Sequence, residues 1–289
     1  MDYQPYLSEI SSRRQPSAIR KLMPLMAQAG MVSLGGGLPN PTLFPLQSLQ
    51  FSVTNPDGSA SDLTLSPEEL QVALQYSPTP GLPKLLDQLK DLQKREHGDG
   101  EYDLNVTVGS QDGLTKAFEM LLDPRHDELF VESPTYSGAL AFLHPFGVKL
   151  TPVATDEYGL HPDALVEALE ASKHVGHINK KRVLYTIPTA QNPSGSTLSN
   201  DRRQKVYEIA QEHDMIIMED DPYYFLHPNR EHLKSFLSMD TDGRVLRFDS
   251  MSKLISSGMR IGFATGPPKL MERLNFHIQA TNLHNSGMY

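Results

Sequence analysis

Seven short β-rich runs, each bounded by Gly, Pro, Asn, Asp or Ser, alternate with longer amphipathic stretches, and this alternation constrains the chain more than any other feature. The runs are Leu104–Val108, Glu128–Glu132, Lys149–Val153, Arg182–Ile187, Met215–Glu219, Arg244–Phe248 and Ile261–Thr265. Between them, Gln111–Leu122, Ser137–His144, Pro162–Ala171 and Asn200–His213 carry apolar residues at three- and four-residue spacing, which predicts helices. Strands joined by helical crossovers run parallel in one sheet. The expected class is therefore α/β, with seven mostly parallel strands.

Flanking this core, Pro67–Gln75 and Leu82–His97 read as helices in an otherwise Pro- and Gly-punctuated first hundred residues, and a last helical stretch runs from Pro268 to about Thr281. At 289 residues the chain has ample material for a buried core. Its net charge of −9 gives no general attraction to nucleic acid or to an anionic membrane. With no cysteine there is no disulfide, thiolate metal site or Cys nucleophile, which fits a reducing compartment. No apolar run approaches the ~18 residues of a membrane span, and no secretory h-region is present. Arg13, Arg14, Arg20 and Lys21 against Asp2 and Glu9 give the N-terminus a faint transit-peptide flavour, although a solvated arm is the plainer reading. Cytosol or a mitochondrial matrix is expected, not secretion.

The chemistry concentrates after the strands. Asp249-Ser250-Met251-Ser252-Lys253 follows one strand, and Arg260 lies seven residues beyond the lysine. An amine can form an imine there while Ser and Arg hold a phosphate, a combination that points to pyridoxal phosphate. An isolated lysine would read as solvated surface. Met215–Glu219 runs into Asp220-Asp221-Pro222-Tyr223-Tyr224, where a carboxylate can pair with a protonated pyridine nitrogen and a phenol can reach a ring hydroxyl. A magnesium-binding carboxylate pair is the rival there, but no Gly-Lys-Ser/Thr phosphate loop accompanies it. Ser110 and Gln111 open a helix directly after a strand, a natural phosphate pocket and equally an ordinary cap. Asn192 lies in a turn-rich loop and could hold its amide over a ligand, and Tyr136 could stack on a ring or simply pack. All five motifs fall at strand C-termini, where one crevice can collect them.

In order and wording these motifs resemble the fold-type I pyridoxal-phosphate aminotransferases, of the kynurenine/α-aminoadipate branch. The resemblance also rests on Ser33–Asn40, Leu74–Pro78, Glu219–Tyr224 and Phe236–Asp240, and covers the chain from about residue 16 onward. It implies a three-layer sandwich around the seven-stranded sheet. It further implies that Lys253 is the catalytic lysine, that Asp220 (Asp221 the runner-up) partners the ring nitrogen, and that Asn192 and Tyr223 bond the ring oxygen. Tyr136 matches the stacking aromatic, and Ser110, Gln111, Ser250, Ser252 and Arg260 match the phosphate cup. Tyr76 matches a tyrosine that reaches the neighbouring subunit's phosphate, so a homodimer is implied. Arg20 and Gly37 match the segment that closes over substrate, which Asn192 also contacts, and no metal is implied.

The domains expected on this basis are an arm and substrate lid over residues 1–40 and a large cofactor-binding domain over 41–289. Relatives continue into a small C-terminal domain with the arginine that clamps the substrate α-carboxylate, so the chain is expected to be an N-terminal portion that transaminates poorly alone. Thr189-Ala190-Gln191-Asn192 departs from the Asn-Gly-Asn-Asn of close relatives. The implied activity is amino transfer between an aromatic or α-aminoadipate-type amino acid and a 2-oxo acid such as 2-oxoglutarate. A non-catalytic, regulatory cofactor-binding domain is the competing reading.

Overall fold

The computed structural model describes residues 1–18, 22, 25, 28, 30–31, 37–173 and 181–288. In chain order its main elements are α1 (Glu9–Arg13), β1 (Gln50–Thr54), β2 (Ala60–Thr64), α2 (Pro67–Leu74), α3 (Pro83–His97), β3 (Asp103–Thr107), α4 (Ser110–Leu121), β4 (Glu128–Ser133) and α5 (Ser137–Phe146). There follow β5 (Lys149–Asp156), β6 (Gly159–Leu160), α6 (Pro162–Lys173), β7 (Arg182–Thr186), α7 (Asn200–Glu212), β8 (Met215–Asp220), α8 (Phe236–Met239), β9 (Val245–Ser250), β10 (Gly262–Gly266) and α9 (Pro268–Thr281).

Strands β3 to β10 form one sheet in the order β3-β10-β9-β8-β7-β4-β5-β6. The pairs from β5 through β4, β7 and β8 to β9 are parallel, whereas β10 runs antiparallel to both β9 and β3. Every residue of β8, β9 and β10 is buried, as expected of strands covered on both faces. Side chains alternate between two cores. Ile216, Met218, Leu246 and Phe248 pack with α4, α5, α9 and the N-terminal Tyr3, Tyr6 and Leu7, while Met215, Ile217 and Val245 pack with α6, α7 and α8. The result is the expected three layers. Helix α4 can lie against β9 because Gly113 faces Phe248, where a Cβ would sit 3.2 Å from the ring.

Two features correct the sequence reading. The sheet has an eighth strand: Gly159–Leu160 turns back antiparallel onto β5, aided by the Tyr158 N–H donating to Asp156 Oδ1 at 2.8 Å. Two residues are too short to carry a period. The first hundred residues also hold an antiparallel hairpin, β1–β2, whose residues are almost all exposed, so no apolar face marks it. Helix α2 is legible by contrast, with Pro67 in its first turn and a reciprocal Ser66–Glu69 capping box.

Candidate active site

Because β10 is antiparallel to both its neighbours, β3 points the same way as β4, β7, β8 and β9, and the loops after these five strands emerge at one edge. A cavity of about 180 Å³ opens there. Ser110, Gln111, Tyr136, Asn192, Asp220, Tyr223, Ser250, Ser252, Lys253 and Arg260 all line it, together with Ile187 and Pro222. Tyr76 lies elsewhere, about half exposed and edge-on to His284 with ring centres 5.4 Å apart. Gly37 is exposed and outside the lining, and Arg20 falls outside the described residues.

One group of lining residues is built to receive an anion. Ser110 begins α4, whose first N–H groups lack intrahelical partners and carry the positive end of the helix dipole. Gly109, at φ +80°, precedes it; a Cβ there would run into the Arg260 guanidinium. Arg260 is itself held at φ +57° and donates to Ser252 Oγ (3.3 Å), Ser257 O (3.2 Å) and Val108 O (3.4 Å). A non-glycine residue in that conformation persists only where its surroundings over-determine it. Ser250 Oγ accepts from the Ser252 N–H at 3.3 Å and so pins the start of the Lys253 turn. Lys253 is exposed, and among the described residues its side chain has neither an ion pair nor a hydrogen bond.

The neighbouring carboxylates diverge. Asp220, 2% exposed, accepts from the Tyr185 hydroxyl at Oδ2 (2.8 Å), while its buried Oδ1 has no hydrogen-bond partner among the described residues. Burial pushes this carboxyl up to about 7; the Asp221 and Asp249 charges add to the rise, and the Tyr185 hydrogen bond and Arg247 oppose it. Asp221 lies outside the pocket lining: its Oδ2 accepts from Arg247 Nη1 (3.0 Å) and Thr189 Oγ1 (3.2 Å), and its Oδ1, like that of Asp220, is buried without a hydrogen-bond partner among the described residues. The two carboxylates therefore do not converge as a metal pair would require.

Arg247 is the hub beneath. It also reaches Glu219 Oε1 (3.2 Å) and Asp249 Oδ1 (2.9 Å), and it stacks 4.8 Å from the centre of the Tyr224 ring. Sequence reasoning missed this support, as it missed Tyr185, Glu132 and Gln191. The available signal was charge at alternate positions of apolar strands, Glu219 in β8 and Arg247 with Asp249 in β9, where burial demands partners.

The family described as Aminotransferase class I and II matches residues 52–288. The mitochondrial kynurenine/alpha-aminoadipate aminotransferase of Bos taurus is 41% identical over 301 residues, covering 99% of this chain and 70% of its own length. The solved aminotransferase Aro8 from Candida albicans matches with a TM-score of 0.90 at 31% identity, over 100% of this chain and 68% of that one. A kynurenine aminotransferase from Pyrococcus horikoshii, solved with PMP, KYN and KYA, matches with a TM-score of 0.71 at 30% identity, over 99% of this chain and 68% of that one.

Proposed function

We propose, for a chain that belongs to the class I and II aminotransferases, that it moves the amino group of an aromatic or α-aminoadipate-type L-amino acid to a 2-oxo acid with pyridoxal 5′-phosphate as cofactor. Kynurenine and 2-aminoadipate are the amino acids this reading favours, with 2-oxoglutarate as acceptor. The observation that carries it is Asp220 Oδ1, a buried carboxyl oxygen without a partner on a residue that lines the pocket. Such an oxygen costs about 1–3 kcal/mol until a donor meets it, and a protonated ring nitrogen is a donor of the right charge. The same pocket offers a helix N-terminus, serine hydroxyls and a guanidinium to a phosphate, so the residues present fit the group.

Bound pyridoxal phosphate supplies an electrophilic carbon for an amine and a ring that accepts the electron pair left by the substrate α-proton. The rest falls to side chains. Lys253 Nζ anchors the cofactor and afterwards moves the proton at the substrate α-carbon. Asp220 holds the ring nitrogen protonated, Asn192 and Tyr223 donate to the ring oxygen, and Tyr136 stacks on the ring. Ser110, Gln111, Ser250, Ser252 and Arg260 fix the phosphate, and with it the angle between Lys253 and the substrate. Arg20, Gly37 and Asn192 meet the substrate.

Residues 1–40 are the N-terminal arm, anchored on the core through Tyr3, Tyr6 and Leu7, together with the segment over the substrate, and 41–289 are the cofactor-binding domain. The enzyme works as a homodimer in which Tyr76 completes the neighbouring phosphate site, in the cytosol or mitochondrial matrix. The test is equilibrium binding of pyridoxal phosphate, followed by transfer from kynurenine or 2-aminoadipate to 2-oxoglutarate in the holoenzyme. A visible cofactor band with glutamate formed supports the reading. Absence of the band overturns it, as does a band with no transfer from any amino acid of these classes in a protein that also carries the further length its relatives have.

A further inference from the structure

Gln191, 2% exposed, stands one residue before Asn192, and its amide reaches across to another loop. Nε2 donates to Pro134 O (2.8 Å) and to Glu132 Oε2 (3.3 Å), at the end of β4 and the start of the loop carrying Tyr136. Oε1 accepts from the Ser194 N–H (2.8 Å), and the Gln191 backbone bonds Ser196 O (2.8 Å) and the Gly195 N–H (2.6 Å) within its own loop. Glu132, 1% exposed, also takes hydrogen bonds from Thr186 Oγ1 (2.9 Å) and the Ile187 N–H (3.0 Å) of the β7 end. Ala190 beside it sits at φ +45°, a conformation that L-residues keep only where neighbours impose it.

We propose that Gln191 is a positioning residue: it staples the Tyr136 loop to the Asn192 loop, so that the aromatic face and the amide of the pocket hold a fixed separation. The proposal deepens the cofactor reading and rests on it. Only a primary amide of this length serves, because the bridge needs two donors on one atom and an acceptor on the other. Leucine offers neither, and asparagine is a methylene short. Glutamate keeps the acceptor toward Ser194 but faces Pro134 O and Glu132 with a carboxyl, which can donate only when protonated. The titratable groups that act on Glu132 are Asp220 from β8 and Tyr185 from β7, with Tyr136 of the loop acting on Tyr185, and burial pushes Glu132 itself up to about 7.

Two measurements on the full chain decide it. In the apoprotein, Gln191→Leu should speed amide hydrogen exchange in residues 134–140 and 191–197 together, with β8 unchanged, and should weaken pyridoxal phosphate binding roughly tenfold, one buried hydrogen-bond set. Gln191→Glu should fold, bind within about threefold of the parent at acid pH, and lose affinity relative to the parent as pH rises through ~7, where two facing carboxylates repel. A structural role without coupling would move only residues 191–197 and leave Gln191→Glu with the pH dependence of the parent. That pattern, or unchanged exchange in both loops, overturns the proposal. A parent protein that does not bind pyridoxal phosphate would strike the cofactor reading instead, while exchange still decides the staple.

Discussion

Tyr185 donates a 2.8 Å hydrogen bond to Asp220 Oδ2 and so orients the carboxyl of this pocket-lining residue without saturating it, leaving the buried Oδ1 without a partner among the described residues. Burial holds the Tyr185 hydroxyl well above its usual pKa, so it remains a donor. One residue on, Asp221 is committed to Arg247. Side-chain direction at the end of β8 thus divides two adjacent carboxyls between a ligand site and a buried ionic hub.

Exchanging Asp220 for Asn keeps shape and the contact with Tyr185 but removes the charge facing the ring nitrogen. In the holoenzyme kcat/KM should fall at least ~100-fold, about 2.7 kcal/mol of transition-state stabilisation. Asp221→Asn should instead lower the unfolding free energy, by about 1–3 kcal/mol, because it leaves Arg247 a charge short. Equal catalytic losses, or a larger one from Asp221→Asn, would reverse the assignment.

Lys253 is exposed and makes no contact that folding depends on among the described residues, so Lys253→Ala should shift stability by no more than ~0.5 kcal/mol. Its chemical effect should be total. Borohydride treatment with pyridoxal phosphate, followed by peptide mapping, should leave a stable adduct on Lys253 in the parent and none at that position in the variant. A label on another lysine would sink the assignment.

Strands β3, β4, β7, β8, β9 and β10 were legible because each is a largely buried run closed by turn residues, and β5, buried only at Val153, because turn residues bound it; the pocket was legible because open α/β sheets gather ligands where such strands end. Long-range partners were not. Nothing local separates Asp220 from Asp221; the choice is made by Arg247 on the neighbouring strand. Gln191 reads as one polar residue in a turn until the Pro134 carbonyl is brought to it. The β1–β2 hairpin lacked the one-sided burial that makes a strand visible, and Gly159–Leu160 lacked length.

Tyr76 is about half exposed, sits away from the pocket and, among the described residues, meets the edge of His284 and no other aromatic ring. If it completes the phosphate site of a second copy, Tyr76→Phe should weaken cofactor binding by roughly 10–100-fold, one hydrogen bond to a charged group, with the melting temperature of the apoprotein unchanged. Sedimentation of the holoenzyme should show a dimer. A monomer with full cofactor affinity, or an affinity indifferent to Tyr76→Phe, would remove the shared site.

Burial raises the Asp220 carboxyl from 3.8 to about 7, so between those values the folded apoprotein holds a proton that the unfolded chain has released. Unfolding free energy must then decline as pH rises through that window and level off above about 7, to an upper limit on the order of 4 kcal/mol from this group. Glu132, likewise pushed up to about 7, declines in parallel and obscures the effect in the parent alone. The difference between Asp220→Asn and the parent isolates it, since an amide does not titrate. In urea unfolding of the apoproteins that difference should be near zero at about pH 4 and favour the variant by a few kcal/mol at about pH 8. A cation met by Oδ1 lowers the carboxyl, so pyridoxal phosphate should narrow the gap at the higher pH. A difference flat across the range would mean that Asp220 titrates as an ordinary carboxyl. A parent more stable than the variant at pH 8 would mean that its free oxygen is already compensated without a ligand.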